Sequence, residues 1–143
     1  MRGLRWALLL VYPILVACGE DGVGPPQGGS ADSIPPEIVS VSPPDGAEGV
    51  PTGTAVRVTF SEPINLATAA VASFFVVGNG EQVPGDYVLE GSTVAFLPSA
   101  PLDPFTRYTA TVTEALRDPT GNALVAGRTW SFATGAVIQP APR

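Results

Sequence analysis

Beyond residue 36, apolar and polar residues alternate with a period of two through most of the chain. The longest run is Arg107 to Thr113. Tyr108, Ala110 and Val112 fall on one face, and Arg107, Thr109, Thr111 and Thr113 on the other. Alternation with β-branched residues outward predicts a strand packed on one side and wet on the other, here reaching about Ala115. Glu37 to Ser42 predicts a first strand with Val39 and Val41 on one face. Pro43-Pro44-Asp45-Gly46 ends it, and a loop is expected through Gly49-Val50-Pro51. Ala55 to Phe60 alternates cleanly, with Val56, Val58 and Phe60 inward and Arg57 and Thr59 outward. Ser61-Glu62-Pro63 breaks that strand, and Asn65 is placed to cap a short helix over Leu66 to Ala72. Phe74 to Val77 is the next strand. Asn79-Gly80 then supplies the two positive-φ positions of a tight hairpin, so that Glu81 to Val83 pairs back. Pro84-Gly85 and Gly91-Ser92 separate two more strands, Tyr87 to Glu90 and Thr93 to Leu97. After the turn Asp118-Pro119-Thr120-Gly121-Asn122, a last strand over Arg128 to Thr134 puts Trp130 and Phe132 on one face. Residues 136–143 carry no pattern and are expected to fray. Seven or eight short strands, with turn signals about every 8–12 residues, are the signature of an all-β sandwich.

The start of the chain has a different pattern. Arg2 and Arg5 precede an apolar run from Trp6 to Val16 that is too short to cross a membrane. The small residue Ala17 ends it, so residues 1–17 read as a secretory signal peptide. Leu15-Val16-Ala17-Cys18 looks like a bacterial lipobox, in which the cysteine is lipidated and the chain is cut before it. The alternative is an ordinary signal peptide that happens to contain a cysteine. Cys18 is the only cysteine of the chain; a free thiol would be an odd leftover in an exported protein, whereas a lipidated one is accounted for. With each buried CH₂ contributing about 0.8 kcal/mol, several acyl chains hold far better than one. The expected membrane partner is therefore reached through an N-terminal lipid, with the chain anchored and not spanning. Gly19 to Pro36 is rich in Gly and Pro and reads as a flexible tether, roughly 20–25 Å long on average. Glu20 and Asp21 resemble the acidic signal by which some bacteria move lipoproteins to the cell surface; a solvated linker with two charges is the plainer account.

The spacing Leu102-x-Pro104-x-Thr106-x-Tyr108 resembles the approach to strand F of fibronectin-type and related Ig-like sandwiches. There a tyrosine hydroxyl turns back to the backbone just upstream, the tyrosine corner. Six pieces in order resemble the SbsA-type bacterial Ig-like domain: Pro35-Pro36 with Ser42-Pro43, Val50-Pro51, Phe60-Ser61-Glu62-Pro63, the Tyr108 motif, Asp118 with Gly121-Asn122, and Trp130-Ser131-Phe132-x-Thr134-Gly135. The resemblance implies an Ig-like or fibronectin-like domain over residues 36–135, after a lipidated linker over 18–35. It also implies use as a spacer or adhesion module; with the lipidated cysteine, the expected location is the cell envelope, at the outer membrane or cell surface. That family is usually found in tandem or beside another domain; here one copy is present.

Composition then removes whole classes of function. The chain has no His and no Lys. Serine–histidine, cysteine–histidine and serine–lysine catalysis are out of reach, as are Schiff-base lysines and zinc sites built on His or Cys. No cofactor is expected, and an enzyme would have to rest on a carboxylate pair across a cleft. From Cys18 onward, five arginines against thirteen carboxylates leave a formal charge of −8, which disfavours nucleic acid as a partner. Calcium is the remaining inorganic candidate, with Asp118, Asn122, Asp103 and Glu114 as hard oxygen donors in predicted loops. Asp before Pro and Gly-Asn are, however, ordinary turn residues. Glu62 is expected to be structural, paired with a nearby arginine or taking backbone amides. Phe60, Phe96, Tyr108, Trp130 and Phe132 are expected in the core, leaving Phe75, Phe105 and Tyr87 as rings that could stack on a sugar. Two functions are compatible with this pattern: an envelope spacer, or a module that binds a protein or glycan through a sheet edge or the loops at one end.

Overall fold

The computed structural model describes residues 32–137. The expected signal peptide, Cys18, the tether as far as Ala31 and the tail over 138–143 lie outside the described residues. The described chain forms nine strands: β1 Ile38–Ser42, β2 Ala47–Val50, β3 Val56–Phe60, β4 Phe74–Gly78, β5 Glu81–Gln82, β6 Gly85–Glu90, β7 Thr93–Pro98, β8 Arg107–Val112 and β9 Arg128–Thr134. They make two sheets, β1-β3-β7-β6 and β2-β9-β8-β4-β5. The core between them is drawn from the inward residues of both, as alternation predicts.

Phe74 sits among three rings, with centroids 5.9 Å from Tyr87, 6.0 Å from Phe96 and 6.4 Å from Trp130. Tyr108 stacks on Phe132 at 5.8 Å. Each such pair contributes about 0.5–1.5 kcal/mol beyond its buried area. Phe60, Phe96, Tyr108, Trp130 and Phe132 are all buried, as their faces predict. On the wet faces, hydroxyls pair across strands: Thr109 with Ser131, Thr111 with Thr129, and Thr59 with Thr93 at 2.9 Å. These pairs fix strand register without apolar surface. Asn79 and Gly80 take φ of 52° and 81°, the left-handed pair that turns β4 into β5.

Five local expectations are corrected. Val39 is 64% exposed. Ile38 pairs with Phe60 and Ser40 with Thr59, so Val39 is the extra residue of a β-bulge, and Ile38 and Val41 lean on the core instead. The expected loop through Gly49-Val50 contains β2, which runs parallel to β9 and buries Val50. The helix over Leu66 to Ala72 shrinks to a 3-10 turn, Leu66–Thr68, although Asn65 caps it as expected by accepting from the Ala67 amide at 3.1 Å. The Ser73 hydroxyl donates to the Thr68 and Ala70 carbonyls and diverts the chain before a helix can propagate. β8 stops at Val112, because Thr113 opens a turn, its carbonyl accepting from the Leu116 amide at 3.2 Å. Tyr87 is not a free ring: it leans on the core, and its hydroxyl donates to the Phe74 carbonyl.

The chain comes in at one end of the sandwich and leaves at the other. β1 begins beside the end of β3, where Pro36 accepts from the Val125 amide at 3.0 Å. β9 carries the chain away from that end, and Gly135 finishes on the Val50 carbonyl at 2.9 Å. We term the first end proximal and the second distal.

Candidate functional site

At the proximal end, the turn after Arg117 closes around the Asp118 carboxylate, which is 1% exposed. Its oxygens accept from the Gly121 amide (2.6 Å), the Asn122 amide (2.8 Å), Asn122 Nδ2 (2.7 Å) and the Thr120 hydroxyl (2.9 Å). Burial pushes the Asp118 carboxyl up, but the donors from Asn122, Thr120 and Gly121 outweigh it and hold it below the ordinary range. Asn122 Nδ2 also donates to the carbonyls of Asp32 (2.8 Å) and Ile34 (3.4 Å), tying the incoming chain to the turn.

Glu62 lies nearby and departs from its expected role. No arginine pairs with it, and its Oε1 is buried without a hydrogen-bond partner. Arg57–Glu90 is the single ion pair among the described residues. Burial raises the Glu62 carboxyl first, and the negative charges of Asp32 and Asp118 raise it further. Asp103 lies at the distal end and accepts from Asn79 Nδ2 at 3.3 Å, while Glu114 is exposed. The structure therefore does not bring together the four oxygen donors considered for calcium. Among the described residues, no group of three or more carboxylate, thiol or imidazole side chains is arranged to hold a metal.

At the distal end, the Tyr108 hydroxyl accepts from the Asp103 amide at 2.8 Å. Gly78 makes room for the ring, since a Cβ there would overlap Tyr108 Cε1. This is the expected tyrosine corner. Tyr108→Phe should cost about 1 kcal/mol, because water can reach the amide of exposed Asp103 once the hydroxyl is gone. A denaturation midpoint equal to that of the wild type would show that the bond contributes nothing.

Thr134 locks the next residues: its hydroxyl donates to the Asp103 carbonyl and accepts from the Thr106 amide at 3.0 Å. Between them Phe105 is held at φ 52°, a conformation bulky residues rarely adopt, with its ring 80% exposed. Phe75 is only half-exposed, so Phe105 stands alone rather than as part of an aromatic platform. A shallow recess of about 210 Å³ opens beside the corner, lined by Asn79, Glu81, Gln82, Pro84, Pro101 and Asp103 among others.

Two facing antiparallel-rich sheets, a tyrosine corner and a core of alternating residues define an Ig-like sandwich. The sequence profile described as bacterial Ig-like domain matches residues 32–134, and the chain belongs to that family. No curated protein matches the sequence. Among solved structures, the LD transpeptidase LdtMt1 in complex with imipenem is 27% identical with a TM-score of 0.53, over 70% of this chain and 40% of that one. The N-terminal part of the bacterial S-layer protein SbsC is 22% identical with a TM-score of 0.52, over 77% of this chain and 25% of that one. Escherichia coli alpha-2-macroglobulin, at 16% identity and a TM-score of 0.57, shares the fold over 78% of this chain and 7% of its own. The chain thus spans well under half of each of these proteins. Bacterial Ig-like domains are non-catalytic, and the likeness to the transpeptidase is one of fold. The family supports a structural or surface module, and these neighbours share its fold.

Proposed function

We propose that the chain is a lipid-anchored spacer of the bacterial cell envelope, attached through Cys18. The observation that carries this reading is the sole cysteine, set directly after the apolar run Trp6 to Val16 in Leu15-Val16-Ala17-Cys18. The path of the chain supports the spacer role: a domain that takes in its chain at one end and releases it at the other adds its own length to the reach of the chain. Fold similarity to an S-layer protein is consistent with export. In a bacterial host, Cys18→Ser should abolish palmitate labelling and move the protein out of the membrane fraction, or stall the uncleaved precursor. Undiminished labelling would rule the anchor out.

The exposed Phe105 favours a second reading, a module that binds a protein or glycan at its distal end. Loss of function on changing Phe105, with shortening of the tether tolerated, would select the binding role. The reverse pattern would select the spacer.

A further inference from the structure

The two ends of the sandwich carry complementary features. At the distal end the Phe105 ring projects from a backbone fixed on both sides, its own amide donating to the Gly135 carbonyl at 3.3 Å. Exposed Asp103 and Arg107 flank it, two residues to either side. At the proximal end a recess of about 280 Å³ is lined by Glu37, Ile38, Val125, Ala126, Gly127 and Arg128. Val125 is exposed beside it, as are Ile34 and Val39 on the neighbouring segment. Small-molecule pockets begin at about 300 Å³, so the recess suits one aromatic ring rather than a larger ligand. Its flanks carry one charge of each sign, Glu37 and Arg128, as do those of Phe105. Neither Arg107 nor Arg128 forms an ion pair among the described residues.

We propose that Phe105 of one copy inserts into the Ile38–Val125 recess of a second copy, joining the two head to tail. In that arrangement Asp103 meets Arg128 and Arg107 meets Glu37, opposite signs at both flanks. Knob and recess are at opposite ends, so the contact is heterologous and leaves one free end of each kind for a further copy. An aromatic anchor filling a pocket, ringed by contacts that exclude water, is a common form of interface hot spot. A single anchor of this size gives a weak, transient contact in dilute solution. Crowding of copies on a surface would strengthen it, a consequence that rests on the Cys18 anchor although the contact does not.

The test places a photoreactive phenylalanine analogue at position 105 of the full chain in a bacterial host. Irradiation should give a ladder of dimers and higher species, with crosslinks mapping to residues 37–38 and 125–128. Val125→Arg should reduce the ladder on the order of tenfold, the loss of one hot spot. Co-expression supplies a second check that misfolding cannot mimic. A copy with Phe105→Ala keeps only the recess, and a copy with the analogue and Val125→Arg keeps only the knob. Together they should crosslink as a pair and stop there. Crosslinks from 105 to 105, an undiminished ladder with Val125→Arg, or capture only of unrelated proteins would overturn the proposal. Failure of the anchor would appear separately, as a shift of the protein out of the membrane fraction with the crosslink map unchanged.

Discussion

Trp130→Ala is expected to destabilise the domain by about 3–5 kcal/mol, the largest loss from any single truncation in this core. Domains of this size have about 5–15 kcal/mol in total, so the variant should be partly unfolded at moderate temperature. The indole is 2% exposed, lies on the inner face of β9 and has its ring centroid 6.4 Å from that of Phe74. Phe74 in turn touches Tyr87 and Phe96 of the opposite sheet, so removal of the indole opens a cavity where the two sheets meet. Trp130 Nε1 is buried without an acceptor. Trp130→Phe should therefore keep most of the stability: it retains an aromatic contact and removes an unpaired donor. Guanidinium denaturation with unchanged slope would measure both variants. Equal losses for Phe and Ala would mean that a phenyl ring at this position does not replace the packing of the indole.

Asp118→Ala is expected to lower the denaturation midpoint at neutral pH more than Tyr108→Phe does. It strands the Gly121 and Asn122 amides, Asn122 Nδ2 and the Thr120 hydroxyl together. It also loosens Asn122, through which Asp32 and Ile34 are held. The effect has a pH signature. The folded Asp118 carboxyl titrates below its ordinary value of 3.8, so its contribution is present above that value and disappears as pH falls through the folded titration. The gap between wild type and Asp118→Ala should then narrow in acid. Glu62 works in the opposite sense. Its folded carboxyl titrates above the ordinary 4.5, so its contribution is present below that value and is lost as pH rises through the folded titration. Glu62→Gln should flatten that decline and leave the acid side unchanged. Midpoints measured across the range would check both. A constant gap for Asp118→Ala, or an undiminished decline in Glu62→Gln, would contradict the assignment.

What the sequence determined by itself was whatever depends on near neighbours. Side chains along a strand alternate sides, so the inward positions of β3, β8 and β9 could be assigned from local order alone. The Asn79-Gly80 turn and the Asn65 cap were legible for the same reason: each satisfies a backbone requirement within a few residues. Tyr108 was legible because its partner amide, at Asp103, lies in the same short stretch. The tertiary structure decided the features that need a distant partner. Whether β1 accommodates an extra residue depends on its register against β3, and that register turned Val39 outward. β2 exists because β9, far along the chain, offers it an edge, and four residues with little alternation of their own could not announce it. The surroundings of Glu62 were equally hidden: Phe-Ser-Glu-Pro marks a strand end, but only folding brings Asp32 and Asp118 beside it. Asn122 read as a turn residue, and it is one; that it also holds the incoming chain 90 residues earlier comes from the sandwich bringing both to one end. The exposure of Phe105 was anticipated because the other aromatics took the inward positions. Its setting at the distal end, opposite the Ile38–Val125 recess, came from the path of the chain through two sheets, which no local pattern encodes.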